Sequence, residues 1–328
     1  MIAQEKILFL ANHILGKLFS VPKKAPSSIL IVKLDEIGDV ICALPAINAL
    51  IAEYPMAKVD VLCKPYCRDI FDNLPGVHAV FTHENEWNKK YDWVAELRGT
   101  WGTFFKTFKF WPRARFSRGT VRLKNKGQQK HEIDTNFEIF EPLELKASSH
   151  NYWPEGTGLV DDYIVKEKLD KFVVFHASAR RVLRQWKPEN FAKLSQWMYA
   201  EFNLKSVYIG VESEHKQNAL IVDMVGEGAI NASGVFDIPS LGQLMNKAQF
   251  FVGNESGPLQ LADYLGLKSL SFFGPGVKDV FYPRTRGSRV LHHVLDCNPC
   301  DQIHCVQIKP CIDLIGLADA MAFIKEIK

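Results

Sequence analysis

Short apolar runs and longer amphipathic stretches take turns along this chain from Ser27 onward. Ser28–Leu34 (SILIVKL), Lys58–Cys63, Ala79–Thr82 and Trp93–Leu97 have strand length in the first half. Phe172–His176, Ser206–Ile209, Phe250–Val252 and Ser269–Phe273 do so in the second. Runs that are apolar throughout, rather than alternating, fit strands buried on both faces, as in parallel sheets. Asp39–Tyr54, Glu189–Phe202, Glu214–Val225, Ile238–Lys247 and Leu259–Leu265 carry apolar residues at helical spacing. Pro45 is expected to kink the first of these or to mark its opening turns. Strand and helix alternating in both halves predict two α/β domains with doubly wound parallel sheets. The least regular stretch, 148–165, holds Pro154, Gly156 and Gly158 and marks the join, giving domains over 1–160 and 161–328. Ligands of such sheets sit beyond the carboxyl ends of the strands, so a cleft between the domains is expected.

Composition narrows the class without naming a function. A length of 328 residues suits two domains. The 40 basic and 37 acidic residues are too evenly matched to argue for nucleic acid from total charge. No apolar run is long enough to span a bilayer. The segment 3–19 reads as an amphipathic helix with Ile7, Leu10, Ala11, Ile14, Leu15 and Leu18 on one face. It can pack on the body of the protein or lie in a membrane interface. No small-residue cleavage site follows it, so the expected location is cytoplasmic, peripheral on the inner face of the cytoplasmic membrane.

Two strand-to-helix junctions carry candidate chemistry. In the first, Lys33-Leu34-Asp35-Glu36-Ile37-Gly38-Asp39, Gly38 permits a tight turn and a helix is expected to open at Asp39. Asp39 there is either a plain N-cap or a carboxylate able to take a proton from an attacking hydroxyl. In the second, a strand ending at Gly253 is followed by Asn254-Glu255-Ser256-Gly257-Pro258 and a helix. Ser256 suits an N-cap, Pro258 suits the first turn, and Gly257 admits a ligand close to the backbone. The free N–H groups and helix dipole make a diphosphate site, or simply a capped helix. Gly274-Pro275-Gly276 forms a third backbone-exposing loop. The lack of a GxGxxG fingerprint disfavours a dinucleotide-binding dehydrogenase.

Four segments resemble the bacterial heptosyltransferases of glycosyltransferase family 9 in family order. They are ILIVKLDEIGDVICALPAINAL, HASARRVLRQWKPENFAKL, FFVGNESGPLQLADYLGLKSLSFFGPG and DCNPCDQIHCVQIKPC. The resemblance runs from about residue 28 to 314. It implies a GT-B fold, two Rossmann-like domains facing across a cleft. It also implies inverting, metal-independent sugar transfer, commonly of heptose from an ADP-sugar to lipopolysaccharide core, with no cofactor required. Asp39 matches the family's general base, and Arg184 a position usually held by Lys beside the leaving diphosphate. Lys33 matches a recurring family Lys, and Ser256 and Gly257 the phosphate turn. With Gly38 and Gly274 these form the expected donor site, to which Glu212 or Glu214 would add contacts to the ribose hydroxyls. The family's phosphate loop usually reads Asp-Thr-Gly and then His. Here Glu255, Ser256, Gly257 and Gln260 stand instead, leaving the donor sugar and base open.

From Leu97 to Lys130 there are ten cations and no carboxylate, while the rest of the chain has 30 basic against 37 acidic residues. Phe104, Phe105, Phe108, Phe110 and Trp111 are interleaved. This stretch reads as a surface for an anionic glycolipid acceptor, with Lys106, Lys109, Arg113 and Arg115 as its contacts. A solvated face or a nucleic-acid groove are the alternatives. Cys297, Cys300, Cys305 and Cys311 have spacing compatible with a structural zinc site, but structural thiols or disulfides are the expectation and no metal is assigned. Cys63 and Cys67 read as packing. The rivals to a transferase are a binding or scaffold protein of the same fold with an eroded site, and another nucleotide-sugar enzyme such as an epimerase.

Overall fold

The structure is a computed structural model. The structure describes residues 6–8, 10, 11, 13 and 14 and, from residue 24 onward, all but 126, 127, 148–150, 155–157, 299, 301 and 328. It divides into two compact units, Met1–Pro154 and Glu155–Lys328. The division falls inside the irregular stretch 148–165. Most of the expected helix over 3–19 lies outside the described residues; those described within it are helical, with Leu8 buried and Ile7, Leu10 and Ile14 exposed.

The first unit holds β1 (Ser28–Lys33), β2 (Lys58–Cys63), β3 (Val77–Phe81), β4 (Trp93–Arg98) and β5 (Ala114–Ser117). They form one parallel sheet in the order β3-β2-β1-β4-β5. Its helices are α1 (Ile37–Glu53), α2 (Arg68–Asp72), α3 (Trp101–Lys109), α4 (Arg118–Lys124) and α5 (Glu132–Ile139). Ile29 to Val32 of β1 are almost wholly buried, as an all-apolar central strand must be. Pro45 sits in the middle of α1 without ending it, which excludes a place in the opening turns. The chain leaves β1 towards β2 and β3, then returns to lay β4 and β5 on the other side. The carboxyl ends of β1 and β4 therefore flank a topological switch point, where such sheets bind ligands. Lys33 stands opposite Arg98 there, and the Leu34 N–H donates to the Arg98 carbonyl over 2.9 Å.

The second unit repeats the plan with β6 (Phe172–His176), β7 (Lys205–Tyr208), β8 (Ala229–Asn231), β9 (Phe251–Asn254), β10 (Ser269–Phe273) and β11 (Arg289–His292). All pairings are parallel, in the order β11-β10-β9-β6-β7-β8. The switch point lies between β6 and β9. Its helices are α6 (Leu159–Lys166), α7 (Pro188–Phe202), α8 (His215–Val225), α9 (Ile238–Lys247), α10 (Gly257–Tyr264), α11 (Lys278–Phe281) and α12 (Leu317–Ile327). Trp186 is fully buried, stacked on Phe272 with ring centroids 4.0 Å apart, and its indole N–H donates to the Ile315 carbonyl over 3.0 Å. Asn254, at the end of β9, ties this core to the loop after β6. Its side chain accepts from the Trp186 backbone N–H over 2.9 Å and donates to the Ala177 carbonyl over 2.7 Å. This pair of hydrogen bonds fixes the course of residues 177–186 and with it the position of Arg184.

β5, β8 and β11 were not anticipated. Each is three or four residues long and carries polar residues, so none presents a readable apolar run.

Candidate active site

In the first unit the switch point is occupied by charge. Asp39 is the third residue of α1, whose N-cap is Glu36, so the expectation that the helix opens at Asp39 is corrected by one half-turn of helix. Its carboxyl group lies among Asp35, Lys33, Glu132 and Arg118. Burial, then the Asp35 and Glu132 charges, push it up from 3.8 to about 6, against the opposing pull of Lys33 and Arg118. The neighbouring carboxylates are all claimed. The fully buried Lys33 Nζ lies 2.7 Å from Asp35 Oδ2 and 3.8 Å from Glu132 Oε1. Arg118 grips Glu132 with both terminal nitrogens, one at 2.6 Å, and Arg98 Nε lies 3.5 Å from Asp35 Oδ1. Asn136 on α5 donates to the Glu132 carbonyl over 2.8 Å and to the Cys42 carbonyl of α1 over 3.4 Å. None of these ion pairs reaches Asp39. Lys33, expected at the donor, is thus committed to Asp35 and Glu132. Gly38 is the second residue of α1, beside the acid. Sequence reasoning overlooked Glu132 as a site residue and read Arg118 only as surface charge, because only the fold brings α4 and α5 to the end of β1.

In the second unit Ser256 is the N-cap of α10 in an extended conformation, yet its hydroxyl caps nothing. It lies 3.1 Å from His176 Nδ1, at the end of β6 across the switch point. His176 Nε2 is in turn 3.6 Å from Glu214 Oε2. Glu214 also accepts from the Val211 N–H over 2.9 Å, and these partners hold its carboxyl below its usual range despite burial. Of the two ribose candidates, Glu214 is therefore engaged by His176, whereas Glu212 is exposed in the same turn. His176 was read only as the end of a strand; the histidine side chain gives no signal until β6 and β9 are known to be neighbours.

Glu255 is buried, and burial raises its pKa against the countering Arg184 charge. Arg184 Nη1 donates to Glu255 Oε1 over 3.0 Å, while Glu255 Oε2 is buried with no hydrogen-bond partner. Arg184 Nε donates to Gln302 Oε1 over 2.7 Å. A Cβ on Gly276 would fall 1.7 Å from Glu255 Oε2, so only glycine leaves room for this carboxylate. A Cβ on Gly274 would meet the Leu183 carbonyl at 2.5 Å; this glycine lets the loop bearing Arg184 pack closely. Gln260 is buried and donates to the Phe281 carbonyl over 2.8 Å. Arg184, Glu255, Ser256 and Gly257 are thus brought together, and Gln260 is turned to the protein.

The basic stretch is mostly neutralised. Arg98, Arg113, Arg115, Arg118, Lys124 and Lys130 pair with Asp35, Asp92, Glu96, Glu132, Glu141 and Glu138. Arg115 was expected at the surface, but β5 is a paired strand that turns it inward. It is buried against Glu96, donates to Thr107 Oγ1 over 2.7 Å and lies 5.3 Å from the Phe104 ring centre. Lys106 bonds the Glu84 carbonyl and covers the Trp87 ring. Lys109 and Arg113 are exposed. So are the rings of Phe105, Phe108 and Trp111, with Trp101 stacked on Phe105.

Cys297, Cys300, Cys305 and Cys311 are thiols lining one small apolar hollow with Leu183 and Pro275. Among the described residues no three of His, Cys, Asp or Glu stand in a metal-ligating arrangement. Cys63 and Cys67 are buried, their thiols pushed up to about 12 by burial, as packing residues should be. Among the described residues no helix is long and apolar enough to cross a membrane.

Residues 121–309 match the model of glycosyltransferase family 9 (heptosyltransferase). A lipopolysaccharide heptosyltransferase 3 of Escherichia coli is 21% identical, the match covering 72% of this chain and 80% of that protein. Among solved structures, a family 9 glycosyl transferase from Veillonella parvula superposes with a TM-score of 0.76 at 16% identity, covering 92% of this chain and 97% of the other. The ADP-heptose lipopolysaccharide heptosyltransferase II of E. coli gives 0.72 at 17%, covering 92% and 98%.

Proposed function

The chain belongs to glycosyltransferase family 9, and from that premise we propose that it is an inverting transferase moving a sugar, heptose for preference, from an ADP-linked donor to a lipopolysaccharide-core or related glycolipid acceptor. The observation that carries the reading is Asp39, a carboxyl group held at about 6 beside a fixed ionic network. Such a group is ionised at neutral pH yet basic enough to receive the proton of a hydroxyl as that hydroxyl becomes a nucleophile. The acceptor oxygen attacks the anomeric carbon from the face opposite the diphosphate, its proton passes to Asp39, and the bond to the diphosphate breaks. The departing charge is taken up by Arg184 and by the N–H groups opening α10, without a metal. Glu255 holds Arg184 in place, and Glu212 supplies a carboxylate for the ribose hydroxyls. Lys109 and Arg113, with the exposed rings of α3, contact the acceptor or the membrane surface carrying it, where the exposed Ile7, Leu10 and Ile14 add a second apolar contact.

Thermal shift with ADP, UDP, GDP and NAD tests the donor assignment. At a hundredfold excess over the dissociation constant a true ligand adds about 2.7 kcal/mol to stability. ADP is expected to stabilise most. A response to none of the four would favour a scaffold with an eroded site, and a response to NAD alone would favour a dehydrogenase.

A further inference from the structure

We propose that His176 is a positioning residue that couples diphosphate binding at Ser256 to the uptake of one proton, an inference that rests on the donor reading above. Ser256 stands where an N-cap normally bonds the first turn of its helix, but its hydroxyl is turned away to His176 Nδ1, 3.1 Å distant. The opposite ring nitrogen, Nε2, faces Glu214. Glu214 comes from the turn after β7, and Ser256 from the turn between β9 and α10. The buried Ser178, just beyond β6, lies on the Glu214 side and helps to hold its carboxyl low. A Cβ on Gly253 of β9 would meet the His176 carbonyl at 2.7 Å, so the glycine allows this close approach.

The donor and acceptor inventory of the array then fixes its behaviour. An ionised Glu214 only accepts, and its carboxylate 3.6 Å from Nε2 favours the neutral tautomer that carries its proton there and presents a bare Nδ1 to Ser256. Ser256 must donate to it. Its one hydrogen is then spent, and only lone pairs remain for an arriving phosphate oxygen, which repel it. When His176 takes a proton, Nδ1–H donates to Ser256 Oγ instead and the hydroxyl hydrogen is released to the phosphate. The imidazolium also adds a positive charge at this helix end, where Gln260 has none to offer, and Glu214 stabilises it. The proton comes from solvent, and no covalent bond other than N–H is made.

The test is isothermal titration of the full-length protein with ADP and with methyl diphosphate, in buffers of different ionisation enthalpy. It is run between about pH 7.5 and 8.5, where the terminal phosphate of both ligands is ionised and the ligand itself sheds no proton on binding. Wild type is expected to take up nearly one proton per diphosphate and to lose up to about tenfold in affinity over that unit of pH. His176→Gln should take up none and bind with flat pH dependence. Adenosine, without phosphates, should bind both proteins alike. Should His176→Gln fail to fold by thermal melting, Glu214→Gln serves instead, since it keeps an acceptor for Nε2–H but removes the charge, and uptake should fall. ADP binding without proton uptake, or uptake that survives His176→Gln, overturns the inference and leaves the donor reading standing. Binding of methyl diphosphate but not ADP, with uptake lost in the variant, sustains the inference and removes the ADP assignment. Binding of neither ligand overturns both.

Discussion

The two units place their charged groups at the same address, the switch point of a parallel sheet, but complete them differently. In the first, Lys33, Arg98, Arg118, Asp35 and Glu132 are paired among themselves and leave Asp39 outside the pairing. In the second, Glu255 Oε2 is unpartnered and Ser256 leaves its helix uncapped. A closed network around one raised carboxyl group suits proton transfer, where the protein must set a pKa and hold it. An incompletely bonded site suits a ligand that brings its own acceptors. The contrast teaches that one architecture can be finished as a tuned base or as a receptor, depending on which groups are left over after local pairing.

Breaking the closed network should have the largest effect. Glu132→Ala leaves Arg118 and Lys33 buried without their shared carboxylate, and an expected loss of about 3–5 kcal/mol in urea unfolding checks it. A loss under about 1 kcal/mol would mean that Asp35 alone can satisfy both cations. Next comes Asp39→Asn, which should lower turnover by about 100-fold or more with ADP affinity nearly unchanged. Wild-type turnover should rise with pH through the pKa of Asp39 at about 6. Full activity of the asparagine variant would move the base elsewhere.

The same substitution sharpens the comparison from the side of stability. Because folding raises the Asp39 pKa from 3.8 to about 6, the folded state binds more protons than the unfolded state in that interval. Wild-type stability is therefore drawn down as pH rises through that window. Asp39→Asn should match wild type below about pH 4 and exceed it by about 1–3 kcal/mol above pH 7. Equal stability at both ends would show that the acid is not strained by its neighbours. The smallest effects belong to the acceptor side. Replacing Phe105, Phe108 and Trp111 by Ser should weaken partitioning onto anionic phospholipid vesicles by about tenfold, and Lys109→Ser by less than about fivefold.

The sequence showed the fold wherever a strand was buried on both faces, as in β1, β2, β6 and β10. It concealed β5, β8 and β11, whose three or four residues carry no period. Asp39, Ser256 and Gly257 could be singled out because each lies within a local strand–turn–helix pattern, and Arg184 only through the family resemblance. His176, Glu132 and Arg118 were not, since their meaning comes from strands and helices that are distant in sequence and adjacent only after folding. Arg115 shows the opposite failure. Ten cations in a row suggested a surface, but charge counting along a chain cannot see Glu96 waiting on the next strand.

The pairing of that segment has a practical outcome. With six of its ten cations paired with carboxylates, that stretch projects a weaker field than its own charge count suggests. On the proposed reading of this face, rings rather than charges would hold a lipid surface, so vesicle binding should survive a rise from low to moderate ionic strength that would strip off a protein relying on a polybasic patch.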